Sequence, residues 1–147
     1  MVRAMAAKRN ALVELFWKIH PTLYRWSGGR LGGSLMGMPV LLLTTRGRRS
    51  GTPRTRALMY VPDGPRFVVI ASFLGEPRHP DWWLNLRADP RAEVEIGSRH
   101  VAVLAREADG DERERLWTAV VARQKDYEEY QQRTTRRIPV VVLEPVA

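Results

Sequence analysis

The stretch "PVLLLTTRGRRSGTPRTRALMY", residues 39–60, constrains the fold most. Two strand-length apolar runs, 39–45 and roughly 54–61, flank a turn rich in Gly, Ser, Thr and Pro. A linker this short holds no crossover helix, so the two runs must pair antiparallel. The pattern repeats downstream. "PDGP" at 62–65 is a turn signal, and "RFVVIAS" at 66–72 predicts a third strand in a hairpin. In "AEVEIG", 92–97, Val94 and Ile96 alternate with Glu93 and Glu95. "HVAVLAREA", 100–108, follows a tight turn at Gly97-Ser98, and "IPVVVLEP" predicts a last strand. Pro80 and Asp81 suit the start of a short helix that Asp89-Pro90 stops, and "DGDERERLWTAVVARQ" opens a longer one with early acids at its positive end. "DYEEYQQR" extends it or forms a second piece. The expected fold is therefore α+β and mainly β, an antiparallel sheet or barrel with flanking helices.

Ahead of the barrel, "RNALVELFWKIH" at 9–20 predicts an amphipathic helix, with Leu12, Leu15, Phe16 and Ile19 at helical spacing, and "SGGRLGGSLMGM" at 27–38 a glycine-rich connection. The division is an N-terminal part, 1–38, and a barrel domain, 39–147. With Arg3, Lys8, Arg9, Lys18, Phe16 and Trp17, the helix suits a lipid interface as well as plain packing. No run reaches the roughly 18 apolar residues of a membrane span. The chain has no cysteine, which removes thiolate nucleophiles and fits a reducing interior, so the expected location is cytoplasmic, with peripheral membrane contact open.

Charge is lopsided. Residues 1–60 carry eleven Lys/Arg and one acid, and residues 61–147 thirteen and fifteen. The turn alone holds Arg46, Arg48, Arg49, Arg54 and Arg56. Arginine presents a planar fork of donors suited to phosphate and carboxylate, and Gly47 and Gly51 suggest backbone N–H groups converging on one anion as a nest, with Ser50 adding a hydroxyl. The alternative is a solvated loop. Trp82 and Trp83, adjacent on a short helix, are not expected to face one core together: either one lies against a planar ligand while the other packs, or both are core and rim tryptophans; Asn85 can bond a ring edge or cap a loop. Tyr127 and Tyr130 share a helical face and line either a pocket or an amphipathic seam. His20, His79 and His100 lack metal-ligand spacing, and neither a Rossmann nor a P-loop signature is present. An enzyme built this way needs a bound cofactor for the hard chemistry.

"PVLLLTTRGRRSGTPR", "ASFLGEPRHPDWWLNLRADP" and "DYEEYQQRTTRRIPVVVLEP" together resemble the deazaflavin-dependent nitroreductase family of actinobacteria, over about 39–147. The resemblance implies a split β-barrel like that of flavin-mononucleotide-binding oxidoreductases. It implies coenzyme F420, a deazaflavin with a phosphodiester and an oligoglutamate tail, with flavin mononucleotide (FMN) as the lesser alternative. By position, phosphate binding falls on Arg48, Arg49, Ser50, Gly51 and Arg54. The strand end beside the ring falls on Ile70, Ala71 and Ser72, and the segment across it on Pro80, Trp82, Trp83 and Asn85. The substrate side, where a hydrogen bond or proton would be donated, falls on Ser72, Tyr127 and Tyr130. The implied activity is hydride transfer to a quinone, activated alkene or nitroaromatic acceptor. Phe73 and Leu74 stand where many relatives have small or basic residues, and Gln124 where an aromatic residue is common. A non-catalytic deazaflavin or flavin carrier and a nucleic-acid-binding barrel are the competing readings; the second suffers because the arginines cluster at one turn rather than along a stripe.

Overall fold

A computed structural model describes residues 21–22, 24–25, 34–35 and 38–146. The expected helix over 9–20, with its membrane reading, lies outside them, as does most of the 27–38 connection. The strands are β1 (Ser34–Leu35), β2 (Met38–Arg46), β3 (Pro53–Met59), β4 (Val61–Asp63), β5 (Arg66–Ile70), β6 (Arg91–Ile96), β7 (Arg99–Glu107) and β8 (Val140–Pro145). The helices are α1 (Asp81–Ala88), α2 (Gly110–Arg123) and α3 (Asp126–Gln132). Every strand pairing is antiparallel, in the order β1-β2-β6-β7-β8-β5-β4, with β3 also on β2. The mainly-β antiparallel barrel expected from the sequence is the fold found.

One residue closes the barrel. β3 and β4 lie toward opposite ends of the sheet order, yet only Tyr60 separates Met59 from Val61. A sheet whose far strands are joined by a single residue must curl until they meet. This corrects the sequence reading of one strand over 54–61: the chain turns a corner at Tyr60. The third strand also ends earlier than expected, at Ile70 rather than residue 72.

Alternation along the strands then sorts the core. Leu41 and Leu43 of β2, Phe67 and Val69 of β5, Val94 of β6, Val103 of β7, and Val141 and Leu143 of β8 fill the barrel interior. The opposite faces of β5 and β8 (Val68, Ile70, Val140, Val142) are covered by Leu116, Val120 and Tyr127 of α2 and α3. Two-sided burial explains why these strands read as unbroken apolar runs rather than alternating ones. On the outer face of β2 and β3, Val40, Leu42 and Ala57 pack against Tyr24. Tyr24 and Arg25 fasten that segment to β6: the Gly97 N–H donates to the Tyr24 hydroxyl at 2.7 Å, and Arg25 pairs with buried Glu95 at 2.7 Å.

Helix α1 stops one mouth of the barrel. Trp82, Trp83 and Leu86 all join the interior cluster, the tryptophans 7% and 5% exposed. The sequence expectation that adjacent tryptophans cannot share one core is therefore corrected. A helix seated in a barrel mouth has wall on more than one side, so positions about 100° apart both find apolar partners. Fully burying a side chain of this class stabilises by about 1.5–3 kcal/mol.

Candidate functional site

Two loops meet at α1: the β2–β3 turn, and the segment from the end of β5 to Pro80. The turn is closed by its own backbone. Gly47 N–H donates to Thr52 O and Gly51 N–H to Gly47 O, both at 2.8 Å. Thr52 N–H donates to the Ser50 hydroxyl at 3.2 Å, and Arg48 N–H to the Asn85 side-chain oxygen at 3.2 Å. Four of the six N–H groups over 47–52 are thus engaged, and the expected nest of converging donors is not what these glycines make. Gly47 sits in a tight space instead: a Cβ there would stand 2.7 Å from the Ser50 hydroxyl and 3.2 Å from the Thr52 carbonyl oxygen, so that hydroxyl would have to move.

Asn85 is the peg of this region. It is 4% exposed, donates to the Thr45 hydroxyl at 3.1 Å and accepts from the Arg48 guanidinium at 2.9 Å. Arg48 also reaches Asp81 at 3.3 Å. Buried polar groups persist when paired, and here the pairing fixes the turn to α1. Of the two roles the sequence left open for Asn85, the structure shows it holding a loop.

The other guanidinium groups behave differently. Among the described residues, Arg49, Arg54 and Arg56 make no hydrogen bond or ion pair. Register places Arg54 opposite Thr45 and Arg56 opposite Leu43, so both share the face that, further along the strands, looks into the barrel. Arg56 was counted in the charge of the turn but not among the residues the resemblance assigned to phosphate; its i, i+2 spacing from Arg54 on a strand was the available signal.

In the second loop, Ala71 and Ser72 are buried, and Ser72, 8% exposed, has a hydroxyl with no hydrogen bond among the described residues. The backbone then turns left-handed through Phe73 (φ 45°), Leu74 (φ 55°) and Gly75 (φ 79°). Such conformations cost non-glycine residues about 1–3 kcal/mol each and persist only where surroundings impose them. Gly75 is obligatory, since a Cβ would stand 2.7 Å from the Tyr130 carbonyl oxygen. The loop is held by Arg136, from the segment between α3 and β8, which donates to the carbonyls of Ala71, Ser72 and Glu76 and to His79 Nδ1. Burial lowers the Arg136 pKa, and burial together with the Arg136 and Arg87 charges lowers that of His79. No sequence signal marked Arg136, because its partners lie 57–65 residues away and three of the four are backbone atoms.

Of the remaining candidates, Pro80 precedes α1 and leads from this loop into it. Ile70 packs toward α2 and α3, in the cluster with Tyr127, and not into the barrel. Tyr127 is buried in that cluster and its hydroxyl pKa is pushed far up by burial. Tyr130 is half-buried, edge-on to Tyr127 at 5.8 Å, with the Arg133 guanidinium 5.4 Å over its ring. The structure therefore brings Arg48, Ser50, Gly51, Arg54 and Asn85 together at one edge, and sets Tyr130 beside Gly75 at the far end of the other loop, with Tyr127 packed behind it. No group of His, Asp and Glu among the described residues is arranged to hold a metal ion, and no helix there is long and apolar enough to cross a membrane.

A family model described as F420H(2)-dependent quinone reductase matches residues 16–145. An F420H(2)-dependent quinone reductase of Mycobacterium tuberculosis is 39% identical over 140 residues, 92% of this chain and 93% of that one. The solved structure of an F420-H2-dependent reductase superposes with a TM-score of 0.67 at 39% identity, covering 72% of this chain and 94% of the other. A heme storage protein from Vibrio cholerae, 14% identical with a TM-score of 0.56 over 74% of this chain and 82% of its own, shares the split-barrel fold alone.

Proposed function

This chain belongs to the F420H(2)-dependent quinone reductase family, and we propose that its two loops divide the work, the arginine turn holding the cofactor's anionic part and the Ala71–Ser72 strand end serving the reacting ring and its acceptor. The observation that carries the reading is the set of cations without partners among the described residues, Arg49, Arg54 and Arg56, beside a turn already closed on itself. Adjacent like charges repel, and a group with a phosphodiester and several carboxylates relieves that repulsion. The donor set therefore fits coenzyme F420; a single phosphate would use less of it.

When bound, the reduced deazaflavin supplies a hydride for a two-electron reduction. The chain's own contribution is placement and charge stabilisation. Arg49, Arg54 and Arg56 bind the phosphate and carboxylates by charge-assisted hydrogen bonds. Asn85 and Asp81 hold Arg48, so the turn stands at a fixed distance from α1. The Ser72 hydroxyl, buried and without a partner among the described residues, donates to the acceptor oxygen on which negative charge develops, and solvent delivers the balancing proton. Trp82 and Trp83, seated in the barrel interior, exclude water beneath that point instead of stacking freely on it. Tyr130, half-buried beyond Gly75, borders the acceptor side. Tyr127 supports it from the core and keeps its proton at any ordinary pH.

Quinones are the acceptor class this reading favours; nitroaromatics are a second electron-poor class that the same hydrogen-bond donor would serve. The test mixes purified protein with F420H2 and menadione and follows cofactor oxidation. Turnover above the protein-free rate is expected. Tight binding without turnover across quinones and nitroaromatics would contradict the enzymatic role and leave a carrier.

A further inference from the structure

We propose that Arg136 is a positioning residue for this reaction: its guanidinium latches the 71–79 loop and thereby sets where Ala71 and Ser72 stand against the reacting ring. The inference rests on the function proposed above and adds to it a residue that touches neither cofactor nor acceptor. All three guanidinium nitrogens are in use. Nη2 donates to Ser72 O at 2.7 Å, Nε to Glu76 O at 2.9 Å, and Nη1 to Ala71 O and His79 Nδ1, each at 3.1 Å. No carboxylate pairs with it among the described residues, so its charge is met by carbonyl dipoles and a ring nitrogen. A planar fork reaches acceptors on several sides at once; the single nitrogen of lysine does not.

The loop needs such a clamp. Between the anchored carbonyls run Phe73 and Leu74, both at positive φ, a path that L-residues leave when released. Arg136 is itself held: the Gln131 side chain donates to Arg136 O at 2.8 Å and accepts from Ile138 N–H at 2.9 Å. A segment tied down by Gln131 thus grips a strained one, and the gripped atoms include the peptide that carries the Ser72 hydroxyl. Misplacement of a reacting group by about 1 Å costs on the order of 100-fold in rate.

His79 makes the latch sensitive to acid. To accept from Arg136 it presents the Nδ1 lone pair, so its proton sits on Nε2. The charged groups facing it are Arg136, Arg87 of α1 and, with the opposite sign, Glu107 of β7. Protonating Nδ1 removes an acceptor and sets a cation against the guanidinium.

The experiment compares wild type, Arg136→Lys and His79→Gln. It measures the Kd of oxidised F420, and kcat and KM with F420H2 and menadione, from roughly pH 5 to 8. The expected result for Arg136→Lys is a Kd within about three-fold of wild type and a kcat lowered at least about ten-fold. For His79→Gln, whose amide oxygen still accepts, the fall in kcat on the acid side disappears. An Arg136→Lys enzyme with wild-type kcat, or with Kd weakened as much as kcat falls, overturns the positioning role. Should Arg136→Lys fail to fold, His79→Gln decides, and an unchanged acid limb overturns the proposal. A wild type that oxidises no F420H2 overturns the enzymatic reading and this role with it; an active wild type beside an unaffected Arg136→Lys overturns the role alone.

Discussion

The two loops beside α1 both depend on arginine and use it in opposite ways: the first carries its own, and the second is gripped by Arg136 from the segment before β8. At the β2–β3 turn, backbone groups and one amide close the loop, and Arg49, Arg54 and Arg56 are left without partners among the described residues. At the 71–79 loop the backbone closes one short turn, Gly75 N–H on Ser72 O and Glu76 N–H on Phe73 O, and the Arg136 guanidinium ties the carbonyls of Ala71, Ser72 and Glu76 together from outside. Counting charges does not predict these two uses. What distinguishes them is whether the donors are already engaged: a free guanidinium is available to a ligand, while a saturated one is part of the frame. Substitutions at the turn should therefore cost binding and leave stability nearly intact, and substitutions at the second loop should do the reverse.

The largest effect is expected at Gly75. Gly75→Ala sets a Cβ 2.7 Å from the Tyr130 carbonyl oxygen at a residue with φ of 79°, and should lower unfolding free energy by about 3 kcal/mol in urea titration. The matching change at the turn, Gly51→Ala, has the same hand of backbone (φ 72°) but open space around it, and should cost about 1 kcal/mol. Equal losses at the two glycines would break the contrast between a gripped loop and a free one.

Next is the triple change Arg49→Gln, Arg54→Gln and Arg56→Gln. The Kd for F420 should rise about 100-fold at low salt, close to 2.7 kcal/mol, with a melting temperature at or above wild type because repulsion is relieved. A large loss of stability would show that these side chains had structural partners after all. Asn85→Ala comes third. It strips Thr45 and Arg48 of a buried partner and should cost about 2 kcal/mol of stability, and because the turn is freed from α1 it should weaken F420 binding as well.

The smallest effect is the pH dependence of stability through His79. Its folded pKa lies below the ordinary 6.5, so the unfolded chain takes up the proton more readily. Stability from this group is complete above about 6.5 and declines as pH falls through the lowered folded value. Unfolding of wild type measured across that window should show the decline, and His79→Gln should flatten it.

Much of this architecture was legible in the sequence, and the limits are physical. Strand alternation and helix ends are written in a few adjacent residues, so β6, β7 and the Pro80-to-Asp89 bounds of α1 followed directly. The corner at Tyr60 did not, because apolar residues continue on both sides of it. The paired tryptophans misled because a barrel mouth surrounds a helix in a way a flat core does not. Glycines near arginines suggested a nest, yet the same residue types make a loop that satisfies itself. The arginine cluster was visible as composition, but which guanidinium groups remain free depends on Asn85 and Asp81, more than 30 residues away. Arg136 left no trace at all, since backbone acceptors have no side-chain signature.

The central claim is that the unpaired guanidinium groups of the β2–β3 turn hold the anionic part of the cofactor. Titrating the protein at low ionic strength with intact F420, and with the same deazaflavin chromophore lacking phosphate and tail, tests it most directly. The account predicts that the intact cofactor binds about 100-fold more tightly and that the advantage shrinks steeply with added salt. Equal affinity for the two, unmoved by salt, would contradict it.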